Sequence, residues 1–254
     1  MKRFSILFFA LLIFGCKNEP KVENLSADDI INKSIEVAGG DSFNKSEINF
    51  DFRDRHYYAK RNHGDFLLMR VTINANNDSI YDVLTNAGYE RKLNDMINVV
   101  VPDSMITKYS ASVNSVHYFS VLPYGLNDKA VNKTLIGEEE IKAKNYYKIQ
   151  VTFDKNGGGE DYEDVFLYWI DKESFKVDYL AYSYNEADGK GMRFREAYNE
   201  RYVNGLRFVD YNNYKPKDKS IKLQDLGKAF ENNQLELLSK IELENVTVDL
   251  IDLQ

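Results

Sequence analysis

Histidines, one thiol and clustered carboxylates are the side chains of this sequence that could do chemistry. There are three histidines, His56, His63 and His117. His56 and His63 flank a turn signal, Asn62-His63-Gly64-Asp65. Facing strands of one hairpin would bring them together, and with Asp54 or Asp65 they could bind a metal or serve a hydrolase. The same spacing suits exposed polar residues beside a tight turn, so no metal site is assigned. His117, near Val116 and Phe119, reads as a buried or rim histidine rather than a base. Glu138-Glu139-Glu140 and Glu160-Asp161-Tyr162-Glu163-Asp164 read as solvated turns. The second run follows Gly157-Gly158-Gly159 but lacks the ligand spacing of a calcium loop. The sequence contains no Gly-x-Ser-x-Gly elbow, phosphate loop or dinucleotide fingerprint. Neither a catalytic residue nor a cofactor is expected.

The single cysteine, Cys16, follows an uncharged run from Phe4 to Phe14 behind the basic start Met1-Lys2-Arg3. That run is shorter than the roughly 20 residues needed to cross a bilayer and has the form of a secretory signal. Ile13-Phe14-Gly15-Cys16 resembles the bacterial lipobox, in which the cysteine is acylated and the chain is cut just before it. Residues 1–15 are therefore expected to be a signal peptide, 16–25 a lipidated tether, and 26–254 a single domain. Two or more acyl chains hold a protein stably to a membrane, so the domain would be anchored without spanning. The expected place is the outer membrane, on its periplasmic face or at the cell surface. Lys17-Asn18-Glu19 suits either a weakened surface-export signal or a plain linker. With its only cysteine committed, the domain has no disulfide and no thiol nucleophile.

A formal net charge of −7 and the lack of a basic block argue against nucleic acid. The 18 Tyr and 15 Phe favour strands. Ser26, with Asp28 and Asp29 behind it, starts a helix that Gly39-Gly40 ends. Alternation marks a strand from Ile48 that runs on through Ala59, and further strands at Leu67–Ile73, Tyr81–Leu84 and Tyr147–Phe153. A second helix opens at Pro102-Asp103-Ser104 and stops at Pro123-Tyr124-Gly125. Val165–Ile170 is apolar on both faces, so both should be covered. Asn204-Gly205 is a strong hairpin signal, and a short helix falls around Asp225 to Phe230. The sum is a mainly β chain, α+β in content, of about ten or eleven antiparallel strands. One sheet of that size must curl, with the helices inside the curl or across its mouth.

This order resembles the LolA/LolB-like family of bacterial lipoprotein carriers and receptors, above all its uncharacterised lipoproteins. The resemblance lies in the leading helix Ile30–Ala38 and the helical insertion ending in LPYGLND. It continues in the phrases GEEEIKAKNYYKIQV, LYWIDKESFKVDYLAY and YVNGLRFVDY, and it covers residues 26 to 250. It implies a curled antiparallel half-barrel with helices as a lid, and a cavity for acyl chains or another apolar ligand. Phe50, Phe52, Val165, Leu167, Trp169, Tyr179, Phe194 and Tyr198 fall on strands that would share the concave side. They make either an ordinary core or a ligand cavity, because both are lined by the same residue types.

Three readings follow. The first is a monomeric, non-enzymatic envelope protein with a membrane anchor, binding a lipid or a lipoprotein acyl chain. The second is a surface lipoprotein that binds a glycan or protein partner and has no lipid cavity. The third is a hydrolase built on His56 or His63 with carboxylates.

Overall fold

Apolar residues two apart build the first strand, β1 (Lys45–Phe52), which buries Ser46, Ile48 and Phe50 and leaves the residues between them half-buried. The structure, a computed structural model, describes residues 25–159, 162–186 and 189–251. The signal peptide, Cys16 and most of the tether lie outside those residues, as do Glu160 and Asp161.

After β1 the chain runs through β2 (Arg55–Asn62), β3 (Asp65–Ile73), β4 (Ser79–Thr85), β5 (Gly88–Leu93) and the short β6 (Ile97–Asn98). Helix α2 (Asp103–Ser120) follows the leading helix α1 (Ala27–Ala38) in chain order and separates this set from the next. The next set is β7 (Val131–Ile141), β8 (Lys144–Phe153), β9 (Val165–Asp171), β10 (Val177–Glu186), β11 (Gly189–Val203) and β12 (Leu206–Pro216). Helix α3 (Leu226–Glu231) precedes β13 (Leu235–Ile241) and β14 (Glu244–Leu250). All pairings are antiparallel and form two seven-stranded sheets. The first has the order β14-β1-β2-β3-β4-β5-β6 and the second β13-β12-β11-β10-β9-β8-β7. The sheets are not closed into a barrel.

The mainly β reading holds, with corrections of detail. There are fourteen strands among the described residues, in two sheets rather than one. The run from Ile48 to Ala59 is a hairpin and not one strand, because Arg53 adopts a φ of 58° and turns the chain. Glu138, Glu139 and Glu140 belong to β7, an edge strand, and not to a turn. Most of β7 is exposed, so the apolar alternation that marks a half-buried strand is missing there.

Other expectations hold closely. Ser26 caps α1 and forms a capping box with Asp29. Gly39 ends α1 at φ 135°, where an added Cβ would stand 2.6 Å from the Leu206 side chain. Asn204 and Gly205, both at positive φ, join β11 to β12. Strand β9 is covered on both faces. On the inner face, Tyr168 and Ile170 pack with Ile30 and Ile31 of α1. On the outer face, Leu167 and Trp169 pack with Leu226 and Ala229 of α3. Two helices thus lie inside the sheets, while the third covers the outside of the second sheet. No helix among the described residues is long and apolar enough to cross a membrane.

Candidate functional site

Helix α2 has two working sides, and the inner space of the molecule is built around them. On one side Val113 and His117 are buried against the first sheet. On the other, Ile106, Ser110, Ala111, Asn114, Tyr118 and Phe119 recur at helical spacing and line a cavity of about 1070 Å³. The remaining walls come from both sheets: Phe52 and Leu84 from the first, and Phe166, Tyr182, Arg195 and Tyr211 from the second. The volume is at the upper end of small-molecule sites, which run to roughly 1,000 Å³.

The deep wall is aromatic. Phe119 lies 5.5 Å from Tyr182 and 6.1 Å from Phe166, ring centre to ring centre, and Phe166 lies 5.2 Å from Tyr182. The hydroxyls of Tyr118 and Tyr168 share a hydrogen bond of 3.0 Å. Burial pushes both phenols above their ordinary pKa. Arg195 projects among these rings. It is 8% exposed, its guanidinium carbon is 3.9 Å from the Phe119 centroid, and its Nη2 donates to the Tyr182 hydroxyl at 2.9 Å.

The opposite side of α2 is held by ions and hydrogen bonds. Asp82, buried on β4, accepts from Arg70 Nη2 at 2.5 Å, from Arg91 Nε at 2.6 Å and from the Tyr89 hydroxyl. Arg70 Nη1 also donates to Ser112 Oγ of α2 at 2.7 Å, and Arg91 stacks 4.0 Å from the Tyr109 ring. Burial alone would raise the Asp82 carboxyl, but hydrogen bonds from Arg91, Tyr89 and Arg70 outweigh it and hold the pKa below the usual value.

His117 belongs to this fixed side and is a core histidine, as expected. Its Nε2 donates to the Met69 carbonyl at 3.0 Å, which fixes the tautomer. Nδ1 has no partner among the described residues. Burial, reinforced by the Arg61 charge, lowers its pKa to about 3. His56 and His63 do not meet: His56 is near the start of β2, and His63 is in the turn beyond its end rather than on a facing strand. His56 pairs instead with Asp51, Nδ1 to Oδ1 at 2.8 Å, on the surface. The described residues hold no group of three metal-ligating side chains.

Of the eight aromatic and apolar candidates, Phe52 alone lines the cavity. Phe50 is core, stacked on Tyr57 at 5.2 Å under His117. Leu167, Trp169, Tyr179 and Phe194 pack on the outer face with α3. Val165 shares their parity on β9, and the Tyr198 hydroxyl donates to Glu242 at 2.7 Å. The lining residues Phe166, Tyr182 and Arg195 lie on the same strands at the opposite parity. A one-residue change of parity moves a strand's side chains to the other face, and on strands apolar on both sides nothing local selects the parity. Glu139 is a further departure. Its side chain is buried beside α3 on the outer face of the second sheet and accepts from Trp169 Nε1 at 3.0 Å and from Lys148 Nζ at 2.6 Å. Sequence reasoning also passed over Met96, Ile97, Val99 and Val100, an apolar run just before α2 in which Val100 is 95% exposed.

A family model described as a family of unknown function, DUF6503, matches residues 1–243. No curated protein sequence matches. Among solved structures, a LolA superfamily protein from Nitrosomonas europaea is similar, with 12% identity over 91% of this chain and 96% of that one, at a TM-score of 0.46. A DUF1329 family protein from Desulfovibrio piger is similar with 13% identity over 88% and 93%, at a TM-score of 0.43. The Mycobacterium tuberculosis lipoprotein LppX is similar with 15% identity over 63% and 88%, at a TM-score of 0.27. The first of these is from the family that the sequence phrases resemble. At such scores a likeness says nothing about what this chain binds.

Proposed function

The chain belongs to the DUF6503 family, whose function is unknown, and from the cavity we propose that it is a non-enzymatic, lipid-anchored envelope protein that holds an apolar ligand between α2 and the second sheet. A lipid or a lipoprotein acyl chain fits that description. In this reading the anchor is Cys16, the tether is residues 16–25, and the site is the outer membrane, periplasmic face or cell surface. The observation that carries the proposal is the cavity, with its aromatic wall and its helix that is buried on one side only. Burial of an acyl chain there would be favoured by roughly 0.8 kcal/mol per CH₂ removed from water.

The test uses the full chain carrying Cys16→Ser, so that no covalent acyl chain competes. Hexadecan-1-ol is titrated against a fluorescent apolar probe. Saturable displacement at about one alcohol per chain is the expected result, and no displacement by it or by any amphiphile of the same chain length rejects the proposal. A second reading, a protein partner, is favoured by the exposed apolar run from Met96 to Val100. It predicts that Val100→Asp leaves probe displacement unchanged while abolishing partner binding.

A further inference from the structure

Several arginines on the sheets are buried or half-buried near the core, and their partners separate them. Arg70 pairs with Asp82, Arg201 with Asp210 and Arg207 with Glu200. Arg195 has no carboxylate within ion-pair distance among the described residues. It makes a single hydrogen bond, to Tyr182, so one of the five N–H donors of its guanidinium is used. Its Nε is fully buried and without a partner. Glu163 and Asp164 also line the cavity, yet neither forms an ion pair with Arg195. Glu163 accepts instead from Asn185 Nδ2 at 3.0 Å.

A buried charge that lacks hydrogen bonds is costly. The rings offset part of that cost. Phe119, Tyr182 and Tyr211 stand 3.9, 5.2 and 5.9 Å from the guanidinium carbon, within cation–π range. Rings meet the faces of a guanidinium and leave its in-plane N–H groups without an acceptor. Those groups suit a carboxylate or phosphate, which they bind by charge-assisted hydrogen bonds. Arg61 is a useful contrast. It too is buried without a carboxylate, but it is absent from the cavity lining. Its Nη1 has no partner among the described residues either, and its guanidinium lies 5.5 Å from the Tyr124 ring, so a ligand in the cavity could not satisfy it. Arg195 does line the cavity, so its free donors are open to a ligand there.

We infer that the cavity takes an amphiphile with an anionic head, a carboxylate or a phosphate on an acyl or alkyl chain, and that Arg195 binds the head while the aromatic wall takes the chain. The inference rests on the cavity reading above and adds the chemical class of the ligand. The phosphate and carboxylate sources share one chemistry, and the test separates them.

The test compares hexadecanoate, hexadecyl phosphate and hexadecan-1-ol as competitors for the apolar probe, below their micelle concentrations, on the full chain carrying Cys16→Ser. At least one anion is expected to bind about tenfold or more tighter than the alcohol, and which anion leads identifies the head. In Arg195→Met the anion-to-alcohol ratio is expected to fall to about one. Arg195→Lys, which keeps a charge without the planar fork, should retain part of it. Tyr182→Phe, which removes the bond that positions Nη2, gives a second readout if Arg195→Met fails to fold; it should lower the ratio by severalfold. Equal binding of anion and alcohol in the parent chain overturns this inference and leaves the cavity reading standing. A preference that survives in folded Arg195→Met also overturns it. Failure of all three probes to bind overturns both.

Discussion

The two sides of α2 each have a buried arginine opposite them, and the two arginines live differently. Arg70, on the first-sheet side, is neutralised by Asp82 and tied to Ser112. Arg195, on the cavity side, has aromatic faces around it and no carboxylate partner among the described residues. The ion network explains why α2 stays on the first sheet although its first half, from Asp103 to Ser112, buries no residue. Apolar packing holds the second half through Val113 and His117. The difference teaches that one side of the helix is an attachment, while the other is a wall whose polar group is left for something else to satisfy.

Stability measurements can break that contrast. Asp82→Asn strands Arg70 and Arg91 in the interior, and breaking a buried pair costs about 3–5 kcal/mol. Urea unfolding should show a loss of that order. Arg195→Met should change stability by less than about 1 kcal/mol in either direction, because it removes a charge that has no carboxylate to lose. Equal and large losses in both variants would erase the distinction between attachment and wall.

A smaller effect sharpens the attachment side. His117 is held neutral, with a folded pKa of about 3 against an unfolded value near 6.5. The unfolded chain binds the proton first, so this stabilisation is complete above about pH 6.5 and is lost as pH falls toward 3. Between pH 7 and pH 5 the loss due to His117 should be about 2 kcal/mol. Urea unfolding of the parent chain and of His117→Gln at both pH values gives that figure as the difference between their pH dependences. Parallel pH dependences would mean that His117 is not buried in neutral form.

How far the sequence could be read follows from which faces each strand buries. Strands with one wet face, such as β1 and β8, announce themselves by alternation. The Ser26 cap of α1 and the Asn204-Gly205 turn are local chemistry, and the structure places each where it was expected. Strand β7 was obscured because its side chains are mostly in water on both sides. Strands β9 to β11 were visible as strands, but their cavity parity was not. Trp169 and Tyr168 look equally buried in sequence, and only the long-range placement of α1 and α3 decides which faces inward. The isolation of Arg195 is a long-range fact of the same kind, since it depends on which acids fail to reach it.

Uptake into the cavity is the central claim, and filling the cavity tests it most directly. Ala111 is a small residue on the cavity side of α2, so Ala111→Trp should occupy the space and leave the attachment side intact. Native mass spectra of the Cys16→Ser chain, taken after incubation with vesicles containing hexadecanoate, should show one bound amphiphile. The folded double variant with Ala111→Trp should show none. Undiminished uptake by that folded variant would contradict the account.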